Sequence, residues 1–138
     1  KWVKSIEIGK PKVIRIVEVE DGGQLLLSED FMAIRINEMI IPFLKNKFLE
    51  FFPNVVVDSG AIKFIVNGAN IMRPGIVSIN GDFLVDEIVV IIDEKYGKFL
   101  AVGIAEVDNQ TANKMGKGTV IRNIHYTGDK FWETSKII

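Results

Sequence analysis

VDSGAIKFIVNGANIMRPGI, residues Val57 to Ile76, is the stretch that decides the fold. It sets Gly60, Gly68 and Gly75, a lone Arg73 and an Arg-Pro-Gly turn between two apolar runs. Asp58 is placed to N-cap a short helix running from about Ser59 to Asn67. Ile62, Ile65 and Val66 then share one face at helical spacing, while Ser59, Lys63 and Asn67 form a polar stripe outside. Gly68 is the expected left-handed stop, because only a residue without Cβ adopts that conformation freely. Pro74 holds Arg73 extended, and Gly75 after it matches a type II turn with positive φ at the glycine. The expectation is a sharp bend that holds Arg73 close to the Lys63/Asn67 stripe.

Downstream the texture is one of short strands punctuated by glycine. Residues 55–57, 71–72, 76–79, 88–92, 99–107 and 119–126 read as strands, with turns at 80–82, 94–98 and 127–129. With barely one short helix, this spacing predicts a small β-barrel or sandwich. Gly103 inside a strand predicts a bulge or a close backbone approach.

Upstream, residues 5–9 and 12–20 alternate as strands, Asp21-Gly22-Gly23 turns, and Gln24–Leu27 returns as a hairpin. Ser28 or Asp30 then opens a helical region over 29–52 whose wide apolar face includes Phe31, Ile34, Met39 and Ile41. Pro42 should kink or break that helix, because it has no amide to donate. Phe51-Phe52-Pro53-Asn54 ends it and marks a boundary. The fold class expected is α+β: a small mixed α/β lobe over 1–54, then a β-barrel lobe over 55–138 with one or two short helices.

Composition bounds the function. The chain has 138 residues, nearly half hydrophobic and a quarter charged, an ordinary globular balance for one domain or two small lobes sharing a core. No apolar run approaches the roughly 18 residues of a membrane helix, so no membrane role is expected. Lys1-Trp2-Val3-Lys4 shows no secretory signature, and a chain opening on lysine implies that an initiator methionine or leader preceded it. There is no cysteine, which excludes disulfides, thiol nucleophiles and thiolate metal sites and fits a reducing, cytoplasmic setting. Seventeen basic residues oppose eighteen acidic ones, so any nucleic-acid contact must come from a local patch.

The motifs themselves carry a resemblance. Gly60-Ala61 with Gly68-Ala69-Asn70-Ile71-Met72-Arg73-Pro74-Gly75-Ile76 resembles the signature of the PUA domain, named after pseudouridine synthases and archaeosine transglycosylases. The resemblance continues through FLAVGIAEV (Phe99–Val107) and KGTVIRNIHYTGDKFW (Lys117–Trp132), and covers essentially all of 55–138. VDSGAIKFIVNGANIM and NIHYTGDKFW are most similar to the translation-associated branch, the malignant T-cell-amplified and ligatin proteins and their archaeal relatives. Those carry a pre-PUA domain in the slot that residues 1–54 fill, where the match lies in length and order of elements. Val85 stands before Asp86 where many PUA domains have Gly-Asp, which predicts a different start to the next strand.

The resemblance implies binding of structured RNA, tRNA or rRNA, at the surface around the short helix and the loop that follows it. The residues it points to are Lys63, Asn67, Gly68, Ala69, Asn70, Met72, Arg73, Pro74, Gly75 and Lys117. Glycine and alanine let a phosphodiester approach the main chain, and Arg73 and Lys63 offer charge-assisted contacts. Each has an ordinary alternative: turn residues for the glycines, a solvated face for Lys63 and Asn67, a surface ion pair for Arg73 or Lys117. Arg122 reads as an ion-pair residue toward Glu106 or Asp108.

Catalysis finds no support. His125, the lone histidine, sits in a strand and reads as structural. KMGKGT (Lys114–Thr119) fails the phosphate-loop pattern, because Gly118 separates Lys117 from Thr119. Asp86-Glu87 and Asp93-Glu94 are adjacent in the chain and so diverge rather than converge. The reading is a noncatalytic RNA-binding protein of the translation or tRNA machinery, without cofactor or metal. Its first lobe would dock a ribosomal or translation-factor partner while its second holds RNA, such as a tRNA acceptor region. The alternative is a protein–protein adaptor with little RNA binding, and an RNA-modifying role would need a catalytic subunit elsewhere.

Overall fold

The computed structural model describes residues 14–138, and the strand expected over residues 5–9 lies outside them. The described residues form two sheets. The first is an antiparallel meander, β1 (Arg15–Glu18), β2 (Gln24–Leu27), β3 (Met32–Ile36) and β4 (Met39–Pro42), paired in that order. The second comprises β5 (Asn54–Val57), β6 (Ile71–Met72), β7 (Ile76–Asn80), β8 (Ile88–Asp93), β9 (Phe99–Ala105) and β10 (Thr119–Tyr126). It curls in the order β6-β10-β9-β8-β5-β7, antiparallel throughout except for the parallel β5–β8 pair. Three short helices attend it: α1 (Ile62–Ile65), α2 (Asn109–Lys114) and α3 (Lys130–Ser135).

The helix expected over 29–52 does not form. Residues 32–42 are the β3–β4 hairpin, turned at Asn37, whose φ is 55°. A five-residue 3-10 segment, Lys47–Phe51, is the helical part of that stretch. Ile34, Met39 and Ile41 of the expected helical face also fit a two-residue alternation, with Met32 and Ile36 beside Ile34 on one strand and Met39 and Ile41 on the next. Ile34 pairs with Ile41, and both are buried. β2 settles the competition, because it needs a partner on each side and β3 supplies the second. Pro42 therefore kinks no helix; it ends β4 opposite Ala33, and the ladder resumes with Phe43 donating to the Met32 carbonyl. Asn46 closes the corner by bonding both the amide and the carbonyl of Met32.

In the second sheet the expected strands appear within two residues of their expected ends. The helices were undercounted: α2 and α3 were not expected, yet each is N-capped by an aspartate, Asp108 onto the Thr111 amide and Asp129 onto the Trp132 amide. Gly103 is a close approach, as expected. A Cβ there would lie 2.5 Å from the Arg122 carbonyl oxygen, and the β9–β10 register shifts just beyond it, between Asn123 and His125.

The core explains why β8 and β9 are apolar without alternation. Val89, Ile91, Ala101 and Ala105 pack inside the curled sheet with Val55, Val57, Ile71 and Ile121. Val90, Val102 and Ile104, on the opposite faces, pack with Leu25, Ile34, Ile41 and Phe43 of the first sheet. Strands buried on both faces read as continuous hydrophobic runs. The two sheets therefore share a core rather than touching at a surface.

His125 bolts that junction, as its structural reading anticipated. The ring is fully buried; Nε2 accepts the Leu44 amide at 3.2 Å, and Nδ1 faces Asp129 Oδ2 at 2.7 Å. Because Nε2 accepts, the proton sits on Nδ1 and is donated to Asp129. Phe43 stacks on the ring with centroids 4.9 Å apart. A second tie lies at the β1–β2 turn, where a Cβ on Gly23 would come 2.6 Å from the Phe131 ring and Lys130 donates to the Asp21 carbonyl.

Candidate nucleic-acid interface

The stretch 57–76 folds largely as its residues dictate. Asp58 Oδ1 accepts the Ala61 amide at 3.0 Å and starts a 3-10 turn, Ser59–Ala61, that runs into α1. Gly68 stops the helical segment with φ +97°, donating to the Ile65 carbonyl. The chain then enters β6 and bends through Arg73–Gly75. That bend is a 3-10 turn in which Gly75 has no positive φ, so the type II turn expected there is not formed. Glycine is used at 75 for closeness: a Cβ would sit 3.4 Å from the Ala61 Cβ, against the helical segment. The Asp58 amide donates to the Gly75 carbonyl and ties the two arms together.

Between the arms lies an open groove of about 410 Å³. Ala69, Asn70, Met72, Pro74 and Gly75 line it, as do Asp58, Gly60, Ala61 and Phe64. Its character is apolar: Phe64 is 58% exposed and Met72 46%. Neither lysine nor arginine is among its lining residues. The remaining expected residues sit around it. Lys63 and Asn67 form the outer stripe, joined by a 2.7 Å bond from the Asn67 side chain to the Lys63 carbonyl. Gly68 backs onto the Tyr126 ring. Lys117 is exposed, next to Gly118, whose carbonyl accepts the Arg73 amide.

Arg73 is not held as expected. Its Nε donates to the Ala112 carbonyl at 2.7 Å and its Nη1 to the Ile76 carbonyl at 3.2 Å. The guanidinium thus spans from the turn to α2, with two of its five N–H groups committed to backbone. Neither sequence alternative, an exposed RNA contact or an ion pair, describes those bonds. The expected ion pairing of Arg122 is also absent: among the described residues no acidic group lies within salt-bridge distance of it.

Two residues of the site escaped the sequence reading. Phe64 falls outside the Ile62/Ile65/Val66 face, and an aromatic on the polar side of a short helix was the signal available. Asn123 left no such trace. Its side-chain amide donates to the carbonyls of Ile65 and Ala69, and its backbone amide donates to Asn70 Oδ1. This β10 residue therefore pins the loop after the helix. Only the pairing of β10 beside β6 brings them together. Among the described residues no group of histidine and acidic side chains could hold a metal ion, and no helix is long and apolar enough to cross a membrane.

An exposed ring, a thioether and a main chain thinned by glycine and alanine suit flat, partly apolar groups with phosphates at their margin. The PUA domain pattern matches residues 53–127, more than half of the chain. Malignant T-cell-amplified sequence 1 of Rattus norvegicus is 40% identical over 95% of this chain and 75% of its own length. Translation machinery-associated protein 20 of Saccharomyces cerevisiae is 36% identical over 93% of this chain and 76% of its own. A solved structure of a hypothetical protein from Pyrococcus horikoshii matches with a TM-score of 0.76 and 32% identity, covering 88% of this chain and 78% of that one. The chain belongs to the PUA-domain family, among the relatives of the malignant T-cell-amplified and translation machinery-associated proteins.

Proposed function

We propose that this protein is a noncatalytic, cytoplasmic RNA-binding component of the translation machinery, with residues 55–138 as the RNA-binding domain and residues 1–54 as a partner-docking domain. The groove between the 59–65 helical segment and the 73–75 turn carries the reading. It is open, apolar and built from a stretch inside residues 53–127, which match the PUA domain. Phe64 and Met72 meet a base or sugar, Ala69 to Gly75 let the backbone approach, and Lys63, Asn67 and Lys117 contact phosphates from the margin. Arg73 contributes chiefly by holding the turn against α2. The RNA is a structured one with an accessible end, such as a tRNA acceptor region.

Titrating tRNA across a salt series tests this directly. Binding should weaken as salt rises, and Lys117→Ala should make the log–log slope shallower by about one. Phe64→Ala should cost about 1–3 kcal/mol and leave the slope unchanged, because stacking releases no counterion. Arg73→Ala should lower both affinity and melting temperature. An absence of tRNA binding even at low salt would favour the adaptor reading, to which the near-neutral net charge of −1 also points.

A further inference from the structure

We propose that the surface around the β7–β8 connection, Asp82–Glu87, docks a cationic amphipathic segment of a partner protein, on a face separate from the RNA groove. Leu84 and Val85 stand out here as adjacent apolar residues, 66% and 51% exposed. They sit on a bend in which Asp86 takes a positive φ of 71°, the position where a glycine would be free of strain. Beside Leu84 opens a groove of about 300 Å³ lined also by Asp82, Phe83, Glu87, Asp108, Asn109 and Gln110.

Charge identifies the occupant. Asp82, Glu87 and Asp108 each have one carboxylate oxygen engaged, by the Asn109 side chain, the Leu84 amide and the Thr111 amide. No described lysine or arginine lies within salt-bridge distance of any of the three. The amide and hydroxyl of Thr111 hold the Asp108 carboxyl below its ordinary pKa, so it is ionised at neutral pH. Three carboxylates around an exposed Leu-Val pair repel RNA and attract lysine or arginine carried on an apolar segment. The two grooves are distinct: their linings share no residue.

A fluorescently labelled leucine–lysine amphipathic peptide, followed by anisotropy with the full chain, tests the assignment. Leu84→Ser, and separately the pair Asp82→Asn with Glu87→Gln, should each weaken binding by about tenfold, the scale of a lost interface anchor or desolvated ion pair. Both changes are on the surface and the amides keep their acceptor oxygens, so melting temperatures should hold. Glu94→Gln, an exposed acidic control, and Phe64→Ala in the RNA groove should bind the peptide like the parent. Equal loss in Glu94→Gln would reduce the attraction to general acidity and overturn the proposal. So would parent-like binding in the groove variants, or self-association of the free chain that Leu84→Ser abolishes, which would make the occupant a second copy.

Discussion

The 29–52 and 57–76 stretches, 24 and 20 residues long and each at least half hydrophobic, answer to different forces. In 57–76 each change of direction has a residue chemically suited to make it: Asp58 caps, Gly68 reverses, Gly75 permits contact with Ala61. In 29–52 the residues tolerate two periods, and the structure takes the one that gives β2 its second neighbour. Local chemistry fixes a conformation where it offers one answer. Where it offers two, the unpaired strand edge next door decides.

Five experiments sharpen that contrast. Gly103→Ala should have the largest effect, roughly 3 kcal/mol of destabilisation in chemical denaturation, because its Cβ would strike Arg122 backbone that cannot yield. Gly23→Ala should cost less, about 1–2 kcal/mol, since φ +88° is strained but the obstructing Phe131 ring can move. If the two cost the same, rigid backbone contact is not what separates them.

His125→Phe tests whether the sheets are bolted through the imidazole. It keeps the stack on Phe43 but leaves the Leu44 amide without its acceptor, while Asp129 Oδ2 keeps the Tyr126 amide alone. A loss of about 1–3 kcal/mol is expected. Amide exchange at Leu44 should rise with it. Asp58→Ala removes a local cap and should cost about 1 kcal/mol, with Asp58→Asn close to the parent. Pro42→Ala should give the smallest change, within about 0.5 kcal/mol. A proline inside a helix would cost about 3 kcal/mol, so a large stabilisation would revive the helical reading.

Acid adds a sixth measurement. The amide of Tyr96 at 2.6 Å, with Lys98 behind it, holds the Asp93 carboxyl below its ordinary pKa. A depressed carboxylate contributes stability above its unfolded pKa and loses it as pH falls through the folded value. The decline should therefore begin below about pH 4. In Asp93→Asn the corresponding part of the acid slope should vanish.

Legibility followed the same division in the site. The groove's glycines, Pro74 and Met72 were visible because they lie in one continuous motif. Arg73 was visible as a residue but not in its bonds, which reach 39 positions along the chain to Ala112. Asn123, 53 residues from Asn70, could not be seen at all, since nothing in the sequence announces which strand lies beside β6. The short helices α2 and α3 were legible in principle through their aspartate caps and were passed over because each spans only six residues.

By itself the sequence determined the turns at Asp21–Gly23 and Gly68, the Asp58 cap, the continuous apolar runs of a doubly buried β8 and β9, and the family signature at 57–76. These depend on φ preferences and hydrogen bonds within a few residues, which no distant partner has to supply. Tertiary structure decided that 32–42 would be strands, that Gly75 would serve contact instead of a positive φ, that Arg73 would face α2, and that His125 would join the sheets. Each depends on what lies opposite in space, and strand partners are chosen by burial and pairing across the whole chain.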